Sequence, residues 1–383
     1  MKLRVGLIGL GEQWQTMHRP ALRMLTERFD VRAIYCTVAK LAENAVSEFQ
    51  ADPVDGFEVM VHRDDIDAVL ILEPTWLGHL PALAACKAGK AIYWASGLDF
   101  DPMGDAPFRN CVEESGIAFM ASFPKRFAPA TLRLKELIAT SLGQPRLLFC
   151  HKRISSPEQQ TFEQTRTQMR SELIELIDWC SYVVAGQSES VMSANCLPSD
   201  PWDYRALSLR FNTGRAAAPV ELPAAAAEIW ESPANFTASR DPIPAAGAIG
   251  SRTPNDPPPT SGRPTAPVPS AVTAQISCGN YIPAKWQEAI GFRPPAGMQV
   301  CCQHGVAFID LPGTLVWFDD AGRHQELLDG ETPVGEKMLG QFHRAVTSLV
   351  RNLSGLEDAF AASAVLRAAE QSSQEGRRIQ MSS

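Results

Sequence analysis

The chain has 383 residues, 45% apolar and 20% charged, with a formal net charge of −8. That is enough chain for two or three domains with sizeable cores. The acid excess leaves no basic stripe to neutralise phosphates, which excludes nucleic acid as the main partner, and an anionic membrane surface with it. No run approaches the roughly 20 apolar residues of a membrane-spanning helix. The opening "MKLRVGLIGLG" lacks the regions of a signal peptide, so a cytoplasmic location is expected.

Taken in chain order, "LRVGLIGL" is a short apolar run ending at Gly11, which predicts a buried parallel strand. A helix with Leu22, Leu25 and Phe29 on its apolar face follows, then a strand over "VRAIYCTV" and a helix over "AKLAENAVSEFQ". "DAVLILEP" predicts a third strand, and "HLPALAACKAG" a helix with Gly89 just past its end. "AIYWAS", "FRNCVEESG" and "IAFMASFP" continue as strand, helix and strand. Such alternation predicts a doubly wound parallel sheet of the Rossmann type over residues 1–123.

Beyond residue 123 the pattern changes. Helices are predicted over "ATLRLKELIATSLG", closed by Gly143, and "RSELIELIDWCSYVVAG". Strands are predicted over "PRLLFCHKRI", "SVMSANC", "ALSLRFN", "VTAQISCGNY", "MQVCCQH", "VAFIDL" and "TLVWFD". Residues 124–345 therefore read as an α+β domain with a mostly antiparallel open sheet. Residues 346–383 are expected to pack back on the first domain as a C-terminal helix. Residues 217–270, rich in Ala, Pro, Ser and Gly, are expected to be a flexible insertion unable to bury enough apolar area to offset its ordering entropy. The nine cysteines fit no zinc spacing and lie mostly in apolar runs, so they are expected to be reduced and buried. Cys301 and Cys302 are expected on one strand, facing opposite ways. No metal site is expected.

Gly9 and Gly11 stand between the first strand and the first helix, where a dinucleotide fold makes its tight turn and brings backbone close to a pyrophosphate. The turn continues through Glu12 and Gln13, and Trp14 occupies the position of the third glycine of GxGxxG. An acidic residue at the end of the second strand would bind the adenosine ribose. Here that place holds Thr37, which carries no charge, and Lys40 follows on the next helix start. This tilts the choice slightly from NAD toward NADP.

The stretches "RVGLIGLG", "HRPALRML", "DAVLILEPTWLGHLPALAACKAGKAIYW", "PKRFAPATLRLKELIATSLGQPRLL", "LIDWCSYVVAG" and "EDAFAASAVLRAAEQSSQEGRR" together resemble the Gfo/Idh/MocA family. The resemblance implies a dinucleotide-binding Rossmann domain and an α/β substrate domain whose sheet often builds homo-oligomers. It also implies NAD(P)-dependent hydride transfer at a hydroxyl carbon of a sugar, polyol or related ligand. It places cofactor contacts at Gly9, Gly11, Glu12, Gln13, Trp14, Thr37, Pro74, Thr75 and His79. The family's Glu-Lys-Pro tripeptide falls here on Ala95, Ser96 and Gly97. Its Asp and His, one helical turn apart, fall on Ser171 and Glu175. Ser96, Ser171 and Glu175 thus occupy the catalytic positions, and two hydroxyls and a carboxylate replace the usual groups. Hydroxyls are poor bases near pH 7, whereas a buried Glu can act as one. An inactive relative that only binds ligand, or serves as a scaffold, is the alternative. Lys125 and Arg126 are expected near the same cleft, and Trp76 at its nicotinamide end.

Overall fold

The computed structural model describes residues 1–73, 77–95, 97–154, 162–195, 203–212, 271–280, 296–348 and 353–381. The insertion expected at 217–270 lies outside them, as do Pro74, Thr75, Trp76 and Ser96.

Strands β1 (Leu3–Ile8), β2 (Phe29–Tyr35), β3 (Asp52–Pro53), β4 (Ala68–Ile71), β5 (Ala91–Trp94) and β6 (Phe119–Ala121) form a parallel sheet. Their order across it is β6-β5-β4-β1-β2-β3, with a two-residue strand β15 (Leu353–Ser354) added in parallel beside β6. The order reverses between β1 and β4. The chain leaves these neighbours in opposite directions, the place in an open α/β sheet where ligands bind beyond the carboxyl ends of the strands. Apolar side chains alternate across β1: Leu3, Val5 and Leu7 pack with Leu22, Met338 and Phe342 on one face, and Ile8 packs with Met60 and Ile66 on the other.

Helices α1 (Arg19–Met24), α2 (Ala39–Phe49), α3 (Phe57–Val61), α4 (Leu80–Lys87) and α5 (Ala106–Ser115) connect these strands. Gly89 and Gly116 take the left-handed conformation just past the ends of α4 and α5. The first crossover differs from the expected regular helix. It starts as a π-turn over Trp14–His18, and Phe29 belongs to β2 rather than to the helix.

Helices α6 (Pro124–Phe127) and α7 (Pro129–Leu137) lead into the second domain, where Gly143 ends the helical run at φ 71°. Its sheet adds β7 (Pro145–Arg153), β8 (Ser188–Asn195), β9 (Asp203–Asn212), β10 (Ala271–Asn280), β11 (Met298–Cys302), β12 (Val306–Asp310), β13 (Thr314–Asp319), β14 (Gly322–Leu327) and β16 (Ile379–Gln380). They lie in the order β14-β13-β12-β11-β7-β10-β9-β8-β16, antiparallel except where β10 runs parallel to β7. Helix α8 (Phe162–Val184) covers one face, burying Leu173, Ile174, Ile177 and Cys180.

Two elements at the C-terminal end divide their packing. Helix α9 (Val334–Thr347) lies on the first domain against α1 and the π-turn, with Gly335 fitted so closely that a Cβ there would meet the Met17 carbonyl oxygen at 2.6 Å. Helix α10 (Leu356–Glu375), in the stretch expected to pack on the first domain, lies mainly along α8 and β8. It touches the first domain through Phe360, stacked on Phe100 at 4.9 Å, and through Ser363, whose hydroxyl donates to the Leu98 carbonyl at 3.0 Å.

The eight cysteines among the described residues are free thiols. Cys86, Cys150, Cys180 and Cys278 are buried as expected, but Cys36, Cys111, Cys301 and Cys302 are half-buried. Cys301 and Cys302 flank a register shift at the end of β11 rather than alternating between core and solvent. No helix among the described residues is long and apolar enough to cross a membrane, and they contain no cluster of metal-ligating side chains.

Candidate cofactor and active site

The crevice at the β1/β4 reversal is lined by the turn after β1 and the residues after β4. Gly9 has φ 73°, a conformation that disfavours any side chain. A Cβ on Gly9 would lie 2.0 Å from the Glu73 carbonyl oxygen, so β4 also requires a glycine there. The Glu73 amide donates to the Ile8 carbonyl at 3.4 Å, tying the two strand ends together. Gln13 is half-buried, and its Oε1 has no hydrogen-bond partner among the described residues. Glu12 is exposed at the tip of the turn.

Trp14 is 3% exposed, with its indole 5.9 Å from the Phe49 ring of α2. It serves helix packing: the ring that replaces a small residue is stowed beneath α2, and the π-turn absorbs the extra bulk. Thr37 stands exposed two residues past β2, and Lys40 is exposed with its ammonium 3.6 Å from Glu43.

His79 precedes α4, within an aromatic group. Its ring stacks on Phe108 at 4.6 Å and lies near Trp94 and Phe100. Nδ1 is 3.2 Å from Asp105. Burial pushes its pKa below the usual histidine value, and Asp105 opposes that shift. The loop after β5, where the family tripeptide would lie, sends Leu98 and Phe100 into the same core. Asp99 within it accepts from Arg170 Nε of α8 at 2.6 Å, and Arg170 also bonds Glu370 of α10.

On α8 the two catalytic positions differ. Ser171 is exposed, whereas Glu175 is largely buried and bonded to Lys125 of α6. Lys125 Nζ also donates to Glu172 Oε2 at 3.1 Å, and Lys152 approaches the other Glu172 oxygen at 3.4 Å. Burial lowers the Lys125 pKa, but the two carboxylates raise it further, leaving it well above the usual lysine value. Lys125 is therefore a firm cation near neutral pH, a hydrogen-bond donor rather than a base. For Glu172, burial raises the pKa and Lys125 and Lys152 bring it below the ordinary value. Arg126 turns the other way, gripping the buried Asp178 with two hydrogen bonds and reaching Asp358 of α10 at 2.7 Å. Burial lifts the Asp178 carboxyl to about 6 against the pull of that guanidinium. Beyond Arg126, Lys135 and Tyr182 line a cleft of about 850 Å³ between α8 and α10.

The sequence placed both Glu175 and Lys125 near the cleft, but the spacing of Lys125 from the later helix carries no local signal that the two are bonded. Glu73 was missed altogether; the signal available was a charged residue between a buried strand and Pro74, at the point where the sheet order reverses.

Residues 3–94 match the model of an oxidoreductase family with an NAD-binding Rossmann fold, the Gfo/Idh/MocA family. That segment, β1 to β5, is what the chain shares with the family's model. A search of the curated proteins gave no match. Among solved structures, the chain is similar to an NAD-binding oxidoreductase from Klebsiella pneumoniae, with a TM-score of 0.71 at 15% identity over 100% of this chain and 99% of that one. It is also similar to the aldose-aldose oxidoreductase from Caulobacter crescentus complexed with glycerol, at 0.70 and 13% over 100% of both chains. The myo-inositol 2-dehydrogenase from Lactobacillus plantarum gives 0.68 and 14%, again over 100% of both. At these identities the likeness shows the fold alone, a parallel sheet followed by a mostly antiparallel one.

Proposed function

We propose that the protein is an NAD- or NADP-dependent oxidoreductase acting at a hydroxyl or carbonyl carbon of a sugar- or polyol-like ligand. The observation that carries this reading is the glycine turn at the β1/β4 reversal, inside the segment matched by the family model. The backbone of that turn suits a dinucleotide: Gly9 takes a left-handed conformation and Gly9 and Gly11 keep side chains out of the turn. The turn from Gly9 to Gln13 would hold the pyrophosphate, and the Thr37 hydroxyl the adenosine ribose. A bound nicotinamide would supply the hydride acceptor or donor.

What remains for this chain's own residues is the proton. Lys125 Nζ, fixed by Glu172 and Glu175, is suited to donate a hydrogen bond to a developing alkoxide. The two carboxylates fix the ammonium in place and keep it charged. Glu175 thus holds its catalytic position as the partner of a lysine from another element. The second reading, a relative that binds ligand without turnover, is favoured by the same pair: Lys125 and Glu175 neutralise one another, and Ser171 offers an exposed hydroxyl. The open face of the second sheet exposes Phe149, Phe318 and Met192 and is the surface we assign to homo-oligomer formation.

A panel of polyols and sugars, with both cofactors, is followed by nicotinamide absorbance. Turnover that Glu175→Gln and Lys125→Met lower at least tenfold supports the first reading. Saturable cofactor binding with no turnover on any member supports the second.

A further inference from the structure

The loop that leaves the carboxyl end of β5 is neither helix nor strand over residues 97–100, yet it sends Leu98 and Phe100 into the core. Buried backbone groups need partners, and those of Leu98 and Phe100 come largely from the second domain. The Ser363 hydroxyl of α10 accepts from the Phe100 amide at 3.1 Å and donates to the Leu98 carbonyl at 3.0 Å. Arg367, one turn further along α10, donates to the Phe100 carbonyl at 3.3 Å. Glu370, three residues on, accepts from Arg205 of β9 at 3.0 Å and from Arg170 of α8. The same Arg170 holds the Asp99 carboxylate of the loop at 2.6 Å through Nε. Phe360, Ser363, Arg367 and Glu370 recur at three- and four-residue intervals, which places them along one face of α10. Ser363 is fully buried, so its hydroxyl has no water to turn to.

We propose that this face of α10 is the positioning element of the β5 loop, with Ser363 as its positioning residue. The second domain thereby fixes residues 97–101 beyond the carboxyl ends of the parallel strands, where ligands of such sheets bind. The loop begins where the family's catalytic tripeptide falls, so its placement bears on the reaction. That consequence for turnover rests on the oxidoreductase reading above; the holding of the loop does not. One hydroxyl serves two backbone groups, so deleting it frees an amide and a carbonyl together. Arg170 supplies the charged half of the grip. Its planar fork reaches Asp99 and Glu370 at once, which a lysine ammonium does less well. A misplacement of about 1 Å in a reacting constellation costs on the order of a hundredfold in rate, so a residue that never touches ligand can still set turnover.

The test is amide hydrogen exchange of the full chain, comparing wild type with Ser363→Ala, Arg170→Met and Arg170→Lys, alongside turnover on the polyol and sugar panel. All proteins are compared at a temperature at which near-ultraviolet circular dichroism shows them folded. Peptides covering residues 97–101 should exchange about tenfold faster or more in Ser363→Ala and Arg170→Met, with β1 and β4 unchanged within about twofold. Arg170→Lys, which keeps the charge, should fall between wild type and Arg170→Met. The kcat of Ser363→Ala should drop about tenfold or more, with the cofactor KM within about threefold, because the glycine turn is untouched. If Ser363→Ala does not fold, Arg170→Met decides by the same criteria. Loop exchange equal to wild type in the folded variants overturns the proposal, as does faster exchange spread evenly over both sheets. A faster loop with kcat unchanged overturns it too. A faster loop in a chain whose wild type turns over nothing supports the holding of the loop and sinks the oxidoreductase reading alone.

Discussion

Replacing Lys125 by Met removes the cation between Glu172 and Glu175 while keeping most of the aliphatic stem. In wild type the ammonium donates to Glu172 at 3.1 Å and to Glu175, and all three side chains are at most 21% exposed. Breaking a buried ion pair by deleting one member costs about 3–5 kcal/mol, because the remaining charge stays buried without compensation. Lys152, 3.4 Å from the second Glu172 oxygen, still offsets part of that charge, so about 3 kcal/mol is expected. The loss must depend on pH with a definite sign. Without Lys125, burial of Glu172 is opposed only by Lys152, so its carboxyl takes up a proton more readily in the folded state and the folded form gains stability as pH falls. The deficit relative to wild type is therefore largest at pH 8 and shrinks toward pH 5. Urea unfolding of both proteins at these two pH values measures it. A deficit below about 0.5 kcal/mol, or one equal at both pH values, refutes the claim that the ammonium is the glue of this cluster.

Other consequences follow from particular contacts. His18 is buried, with Nε2 3.3 Å from the Tyr93 hydroxyl, and burial pushes its pKa down to about 4. As pH falls from about 6.5 toward 4 the unfolded chain takes up a proton that the folded chain refuses, so stability drops by about 3 kcal/mol in total. His18→Gln should flatten that part of the stability–pH curve. Gly9→Ala should lower the thermal midpoint sharply, because a Cβ would stand 2.0 Å from a backbone oxygen at a left-handed φ. Phe100→Ala removes a fully buried ring stacked on Phe360 and should cost about 4 kcal/mol in urea unfolding, since it opens a cavity where the β5 loop meets α10.

The parallel sheet was legible because both its faces are covered, which makes its strands continuous apolar runs, and because Gly89 and Gly116 mark helix ends. The antiparallel strands β8 to β13 alternate clearly enough to be seen. Strand β14, "GRHQEL", carries no apolar alternation and was invisible; it is held by pairing with β13 at the sheet edge. The short strands β3, β15 and β16 are defined by their neighbours alone, and the five-residue helix α3 is too brief for a periodic signal. The first helix was misjudged because Trp14 demands space that a regular helix packed on β1 does not have. In the site, Glu175 was found by counting along one helix, which is local information. Its partner Lys125 is 50 residues away, and nothing in the spacing announces the bond. His79 was read as a cofactor neighbour from the chain order after β4; the aromatic group of Trp94, Phe100 and Phe108 that takes up its ring is assembled from three separate segments.

The central claim is that the turn after β1 and the end of β4 form a dinucleotide crevice. Amide hydrogen exchange measured with and without saturating NADH or NADPH addresses it directly. The account predicts slower exchange confined to peptides covering residues 9–14 and the segment after β2 that carries Thr37. Protection elsewhere with no change in these peptides, or no change anywhere at saturating cofactor, would contradict it.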